Sequence, residues 1–130
     1  LVGSEMCIRD RYKQSKEGFT ILIGKNSRQN EEVTFHQATG NDLWLHARGV
    51  PGAHVIIKAG GREIPRATID QAASLAAYYS QARGSTSVPV DYTLQRHVRH
   101  MKNGGPGMVI YEHEKTIYAE PALAEEVAAR

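Results

Sequence analysis

Residues 42–58 contain the side chains of this chain best suited to chemistry or recognition. Trp44, His46 and Arg48 alternate with apolar residues, which is typical of a strand whose two faces differ. His54 follows in a segment predicted to be the neighbouring strand, so both imidazoles are expected on one surface. An aromatic ring, imidazoles and a guanidinium side by side are suited to an anionic, aromatic partner such as RNA.

Two other segments are basic. Residues 96–102 combine three permanent cations with two histidines, and residues 25–30 form a polar loop with cations and amides. Lys and Arg supply phosphate contacts that do not depend on base sequence, and Asn and Gln add contacts to base edges. The predicted RNA-binding residues are Lys25, Asn26, Arg28, Gln29, Trp44, His46, Arg48, His54, Arg96, Arg99 and Lys102.

The sequence leaves a structural interpretation open beside the functional one. Trp44 also fits a core position with its N–H hydrogen-bonded, and His46 and His54 fit hydrogen-bonding positions within a sheet. The charges also fit a solvated mixed surface. Their distribution favours a polyanion partner, because residues 12–111 carry twelve Lys or Arg against seven Asp or Glu, whereas residues 112–130 carry two against five.

Other kinds of site have little support in the sequence. A zinc site needs about four closely spaced ligands, and His97-x-x-His100 is the only close pair of histidines. Nucleophile-elbow, P-loop and dinucleotide-binding motifs are absent from the sequence. We therefore expect no metal, no cofactor and no catalytic activity, with an enzyme that uses His46 and His54 as the less favoured alternative. The sequence has no apolar run of the roughly 18–20 residues that a membrane helix needs.

Residues 1–11 are expected to be non-native. Residues 1–10 match one reading frame of a common transposase-based sequencing adapter, and Arg11 fits the junction codon. This interpretation removes the only cysteine, Cys7, from consideration. It also means that the true upstream sequence is missing. We therefore expect three parts: the adapter-like segment 1–11, a domain over residues 12–121 and an acidic C-terminal tail over residues 122–130.

The elements that position these residues indicate an α+β fold. We predict a mostly antiparallel sheet with one main helix at about 68–82 and a short helix at about 30–38 packed on it. A capping box at Thr68-x-x-Gln71 is expected to begin the main helix, and Gly84 to follow its end. Asn26, Ser27 and Asn30 are candidate caps for the short helix.

The connections between the strands are predicted from turn residues. An opening hairpin turns at Gly18, and a type II turn at Pro51-Gly52, with positive φ at the glycine, joins strands at about 42–47 and 53–58. Pro89 predicts an edge strand or a bulge. Residues 108–111 and 116–119 are predicted to pair as a closing hairpin.

Three groups of segments resemble a known family. They are GFTILIGKNSRQN at 18–30, DLWLHA at 42–47 with PGAHVII at 51–57, and VDYT at 90–93 with PGMVIY at 106–111. In this order and at these separations they resemble the NFACT-R domain, the C-terminal module of the NEMF/RqcH family, whose older name is fibronectin- or fibrinogen-binding protein. The resemblance covers residues 12–121. Asn30 and Asp42 are also signature positions, and the signature does not distinguish RNA contact from support of the fold.

The resemblance implies a cytoplasmic, non-catalytic RNA-binding module. In this family the full protein binds a large ribosomal subunit that carries an obstructed peptidyl-tRNA, and it recruits tRNA so that alanine is added to the C-terminus of the stalled chain. The implied partners are tRNA or rRNA, the large subunit and the missing N-terminal domains, without a membrane. Segment 96–103 departs from the family at His100, Met101 and Asn103, where more Lys and Pro are expected. The alternative is a fibronectin- or fibrinogen-binding module, or another protein-interaction module, that does not bind RNA.

Overall fold

The computed structural model of the protein describes residues 12–15 and 17–123, and the side chains of residues 15 and 17–123. The adapter-like segment 1–11 and residues 124–130 of the predicted tail lie outside the described residues. Within the described part the fold is α+β, as predicted. Its elements are β1 (Tyr12–Gln14), β2 (Thr20–Gly24), α1 (Ser27–Glu31) running into a π-helical turn (Glu32–Gln37), β3 (Leu43–Ala47), β4 (His54–Ile57), α2 (Arg66–Tyr78), β5 (Val88–Leu94), a 3-10 turn (Gln95–His97), β6 (Val98–His100), β7 (Val109–Tyr111) and β8 (Lys115–Ala119).

Six strands form one antiparallel sheet in the order β1-β2-β4-β3-β5-β8, and β6 and β7 pair as a separate two-stranded ribbon. Helix α2 packs on one face of the sheet. The π-helical turn and the ribbon pack on the opposite face. The sheet is therefore the middle of three layers, and both of its faces are buried over the central strands.

Alternation along β3 sends side chains to these two layers. Leu43, Leu45 and Ala47 join the core beneath α2, where the small alanine side chains of the helix allow close packing. Trp44 joins the second core beneath the ribbon. The two faces of this strand were predicted from the sequence, but the cover that the ribbon provides on the Trp44 face was not.

The predicted start of the main helix is wrong. Helix α2 spans Arg66–Tyr78 and not 68–82, and its N-cap residue is Pro65, which makes no side-chain capping hydrogen bond. Thr68 is buried in the first turn of the helix, and its hydroxyl donates to the carboxylate of Glu17 over 2.8 Å. A long-range contact therefore takes the side chain that a capping box would use.

The predicted end of α2 and the predicted turn at Pro51-Gly52 fail for a shared reason. The helix ends at Tyr78, well before Gly84, because Ser80 forms an antiparallel bridge with Gly52. Gly52 does not take a positive φ, whereas Gly49 does, at 73°. A Cβ at Gly52 would lie 2.9 Å from the Cβ of Ser80, so this glycine is needed for close approach rather than for a type II turn.

The short helix begins earlier than the predicted 30–38. Asn26 is the cap among the three candidates, since its Oδ1 accepts from the backbone N–H of Gln29 over 2.8 Å. The Gln29 side chain accepts in return from the backbone N–H of Lys25 over 3.0 Å. These reciprocal bonds fix the first turn. Two predicted base-contacting amides therefore have a structural role at the helix start.

Two further predictions about strands are wrong. Pro89 lies in β5, which is an interior strand flanked by β3 and β8. A proline is tolerated here because β3 ends beside it. The last pair of β3 and β5 is Ala47 with Val90, and the Pro89 carbonyl accepts from the backbone N–H of Arg48 just beyond that pair. The closing hairpin does not form, because β7 pairs with β6 and β8 extends the sheet at β5. The opening hairpin of β1 and β2, with its turn at Gly18, is confirmed.

Among the described residues, no helix has the length and apolar composition needed to span a bilayer.

Candidate nucleic-acid interface

A cavity of about 670 Å³ opens between the ribbon side of the sheet, the start of α1 and the tip of the ribbon. Its volume lies within the roughly 300–1,000 Å³ of ligand-binding sites. We call it the tryptophan cavity; its lining comprises Trp44, His46 and His54 from the sheet, Ser27 and Asn30 from α1, the turn 49–52, and Met101, residues 106–109 and Tyr111 from the ribbon. It brings together three predicted RNA-binding residues of the second signature, Trp44, His46 and His54, with Ser27 and Asn30 of the first signature, which were not among the predicted RNA-binding residues.

Trp44 is completely buried at the base of this cavity. Its ring is stacked with His46 at a centroid distance of 5.8 Å, and the ring of Tyr111 lies 4.7 Å away. The core interpretation of Trp44 is thus correct. Its indole face is covered, so direct stacking of a base on Trp44 is not available in this conformation. The accompanying expectation of a satisfied N–H is wrong, because Nε1 has no hydrogen-bond partner among the described residues. An unpaired buried donor costs about 1–3 kcal/mol.

His54 is buried and is held by two hydrogen bonds from one side of the cavity. Its Nδ1 lies 2.9 Å from Thr34 Oγ1, and its backbone N–H donates to Asn30 Oδ1 over 3.0 Å. Burial, with a smaller contribution from the neighbouring His46, lowers the pKa of His54 to about 3. His54 is therefore neutral at pH 7 and belongs to the frame of the site. Asn30 also donates to the carbonyl of Gly52, so this signature residue supports the fold.

His46 lies 5.3 Å from His54, ring centroid to ring centroid, with the two rings nearly perpendicular. Burial lowers the pKa of His46, an effect that the carboxylate of Asp91 only partly opposes. The predicted meeting of the two histidines on one surface is confirmed. His46 is only partly buried, so it presents a neutral ring with one donor and one acceptor nitrogen to the cavity.

A network around Asp91 escaped the sequence reasoning. Asp91 is buried, and its carboxylate accepts from the Tyr111 hydroxyl and the Thr116 hydroxyl over 2.6 Å each. Burial and the bond to Asp91 raise the pKa of Tyr111. The guanidinium of Arg48 lies 3.9 Å from the same carboxylate, which places it beside Tyr111 at the edge of the cavity. The only signal for this network was that Asp91 and Tyr111 both belong to the third signature.

Glu31 fastens the ribbon over α1 and was also missed. Its carboxylate lies 2.6 Å from His100 Nε2 and accepts from the backbone N–H of Gly107 over 3.0 Å. The His100 ring stacks on Phe35 at 3.8 Å. Burial raises the pKa of Glu31, but the bonds from His100 and Gly107 outweigh it, and the net shift is downward. His100, the residue that departs from the family pattern, therefore docks the ribbon.

Asp42, which belongs to the second signature, has a structural role. It is buried, and its carboxylate accepts from the backbone N–H groups of Thr39 and Ala59 over 2.8 Å each. Lys58 Nζ lies 2.7 Å from it. Burial raises the pKa of Asp42, but the bonds from Lys58, Thr39 and Ala59 have a larger combined effect and lower it. Asp42 thus ties the loop before β3 to the end of β4.

Four of the predicted cations neighbour residues that line the tryptophan cavity. Arg28, Arg48 and Lys102 are exposed, and each adjoins a lining residue in the chain. Lys25 Nζ lies 4.7 Å from the centroid of the Tyr79 ring, beside the Gly52–Ser80 bridge that borders the mouth. Among the described residues, Lys25, Arg28 and Lys102 form no ion pair. We call Lys25, Arg28, Arg48 and Lys102 the rim cations.

The other two predicted cations lie apart from this rim. Arg96 donates to the Gly40 carbonyl and to the Asn41 side chain, near the opposite end of β3. Arg99 points away from the sheet on the outer side of the ribbon and pairs with Glu112 over 3.2 Å. The basic segment 96–102 is therefore not one continuous patch, because strand alternation and the 3-10 turn point its cations in different directions.

No group of three or more metal-ligating side chains occurs in the part of the chain that the structure covers. Of the one close histidine pair in the sequence, His100 is engaged by Glu31, and His97 packs against His113 at a ring-centroid distance of 4.6 Å.

Comparison with known proteins identifies relatives of this fold and site. The chain is 46% identical over 108 residues to the Rqc2 homolog RqcH of Bacillus subtilis (strain 168), a match that covers 83% of this chain and 19% of that protein. It is 39% identical over 112 residues to the Rqc2 homolog RqcH of Streptococcus pneumoniae serotype 2, covering 86% and 20% respectively. The chain therefore spans about a fifth of the length of these curated relatives.

A solved structure has the same fold. The C-terminal part of the fibronectin/fibrinogen-binding protein from Streptococcus suis superimposes with a TM-score of 0.82 at 36% sequence identity, over 92% of this chain and 48% of that one. The family described as NFACT protein RNA binding domain matches residues 10–112, which include all three signatures, the rim cations and the whole cavity lining. The resemblance seen in the sequence is thus confirmed, and the chain belongs to the NFACT protein RNA-binding domain family.

Proposed function

We propose that this chain is the RNA-binding module of a ribosome quality control factor, and that it binds tRNA or rRNA on a stalled large ribosomal subunit in support of C-terminal alanine tailing. The observation that carries the proposal is the set of rim cations around the tryptophan cavity. Lys25, Arg28 and Lys102 lack acidic partners among the described residues, so their charge is available to phosphates. The likeness to proteins named Rqc2 homolog RqcH supports the cellular setting.

In this proposal the module binds and does no chemistry itself. The groups nearest the cavity that resemble catalytic residues are already engaged in the fold: His54 with Thr34, and Tyr111 with Asp91. Peptide-bond formation would belong to the ribosome. The partners would be RNA, the large subunit and the remaining domains of a longer protein, and the activity would be cytoplasmic.

A salt titration of RNA affinity tests the proposal. Each phosphate contact to a single strand contributes a slope of about −0.7 in log affinity against log salt. Reversal of Lys25, Arg28 and Lys102 to Glu should therefore weaken binding and reduce the steepness of the slope by about 2. The matched control reverses Arg62, Arg66 and Arg83, which are exposed and lie on the α2 side of the sheet or in its loops.

The control has the same net charge as the rim variant, so it separates a local site from general electrostatic attraction. It should keep most of the wild-type slope. Equal losses in the two variants would refute the rim as the binding site. RNA binding that is absent, or indifferent to salt, would overturn the proposal and favour the protein-interaction alternative.

A further inference from the structure

We infer that the tryptophan cavity receives one unpaired nucleobase of the bound RNA while the rim cations hold the neighbouring phosphates. The inference rests on the proposed function and adds what the site recognises. It follows from the contrast between a neutral, aromatic interior and a cationic mouth.

The interior offers surfaces for a planar ring. His46 and Tyr111 are both partly exposed, both line the cavity, and both rings lie within 6 Å of the Trp44 ring, as centroid distances. Single-stranded RNA bases are commonly held by stacking on such rings. At the mouth, Met101 and Met108 are 38% and 49% exposed, and their soft side chains adapt to flat apolar surfaces. A base entering the cavity would cover all four side chains.

The interior disfavours a phosphate. Burial lowers the pKa of His46 and His54, so the imidazoles are neutral at pH 7. The charged groups that hydrogen-bond to lining residues are carboxylates, Asp91 to Tyr111 and Glu31 to Gly107. An anion would therefore meet neutral or negative walls inside and cations only outside. RNA fits this division because its uncharged bases and charged phosphates alternate along the chain.

The interior also presents hydrogen-bonding groups. Neutral His46 is partly exposed and has one donor and one acceptor nitrogen, and its ring also hydrogen-bonds to the backbone of Ala47 and Gly52. Base edges present both kinds of group. A duplex base has these edges already paired, so the cavity is suited to an unpaired base.

The test compares two ligands of equal charge. One is an eight-nucleotide oligoadenylate, and the other is a ribose-phosphate oligomer of the same length without bases. The intact chain should bind oligoadenylate at least about tenfold more tightly, with similar salt slopes. Trp44 is the only tryptophan, so its fluorescence reports on the cavity, and it should change with oligoadenylate but not with the abasic oligomer.

Two variants and one control test whether the preference for oligoadenylate arises in the tryptophan cavity. Ser27→Phe places a ring in the cavity from its exposed wall, and His46→Leu removes the partly exposed imidazole; each should abolish the tenfold preference and leave abasic affinity unchanged. Ser87→Phe makes the same substitution at an exposed position outside the cavity and should keep the preference. Circular dichroism verifies folding, and the two cavity variants act at different elements, so a failure of one to fold leaves the other.

The outcomes separate the inference from the proposed function. Equal affinity for the two oligomers with a steep salt dependence would overturn the base pocket and leave phosphate binding by the rim intact. A preference that survives in both cavity variants would also overturn the pocket. Failure of the folded chain to bind either oligomer would count against RNA binding itself and the base pocket with it.

Discussion

Replacement of His54 by Gln should remove much of the pH dependence of stability between pH 7 and pH 5. In the folded chain His54 is buried against Thr34 and His46. Burial lowers its pKa from 6.5 to about 3. In the unfolded chain the imidazole is in water and has its ordinary pKa. Below pH 6.5 the unfolded state therefore binds a proton that the folded state does not.

The sign and size of the effect follow from linkage. A depressed folded-state pKa gives stability that is complete above the unfolded-state value and is lost as the pH falls toward the folded-state value. For pKa values of 6.5 and about 3, the His54 contribution to the free energy of unfolding falls by about 2 kcal/mol between pH 7 and pH 5. The pKa of His46 is also lowered, so it adds in the same direction.

The chosen pH window isolates these histidines. Glu31 and Asp42 have lowered pKa values, and their contributions are lost only as the pH falls below the ordinary carboxyl range. Urea unfolding at pH 7 and pH 5, followed by the fluorescence of Trp44, measures the two free energies. Wild type should lose about 2 kcal/mol or more, and His54→Gln should lose about 2 kcal/mol less than wild type.

His36→Gln, at an exposed position of the π-helical turn, is the matched control and should retain the loss due to His54. If His54→Gln and wild type lose the same free energy between the two pH values, the argument that His54 is buried in its neutral form is refuted.

Three other substitutions test the frame of the site by urea unfolding at pH 7. Asp42→Asn replaces the carboxylate that accepts two backbone N–H bonds by an amide, and should lower the free energy of unfolding by about 3 kcal/mol. A change near zero would contradict the stabilising role of the carboxylate. Gly52→Ala forces a Cβ to 2.9 Å from that of Ser80 and should cost about 1–3 kcal/mol, whereas Gly84→Ala, with open space around it, should be neutral or stabilising. Tyr111→Phe removes a 2.6 Å hydrogen bond to buried Asp91 and should cost about 1.5–3 kcal/mol; an unchanged midpoint would show that the bond contributes nothing.

Much of the fold could be predicted because its signals are local. Alternation of apolar residues indicated the strands near Trp44 and His54, and the alanine-rich helical spacing indicated α2. The errors arose where a distant contact replaced a local one. Thr68 bonds to Glu17 rather than capping the helix, and Ser80 ends α2 by pairing with Gly52. Local rules do not include such partners, since these lie 51 and 28 positions away in the chain.

The candidate site was predicted in its residue types but not in its arrangement. Trp44, His46 and His54 were singled out together, and the structure brings them together around one cavity. Their exposure depends on the ribbon of β6 and β7, whose pairing the sequence did not reveal. The sequence predicted one basic patch at Arg96 and Arg99, because the density of charge along a chain does not show in which direction each side chain points.

The sequence by itself determined the family and the set of side chains available for recognition, because ordered signatures and residue types are properties of the linear chain. The tertiary structure alone decided which of those side chains are exposed and free of partners within the fold. It buried Trp44, neutralised His54 through burial and left Lys25, Arg28 and Lys102 free of ion pairs within the described residues. The physical reason is that burial, hydrogen-bond partners and the direction of charge arise from contacts between residues far apart in sequence.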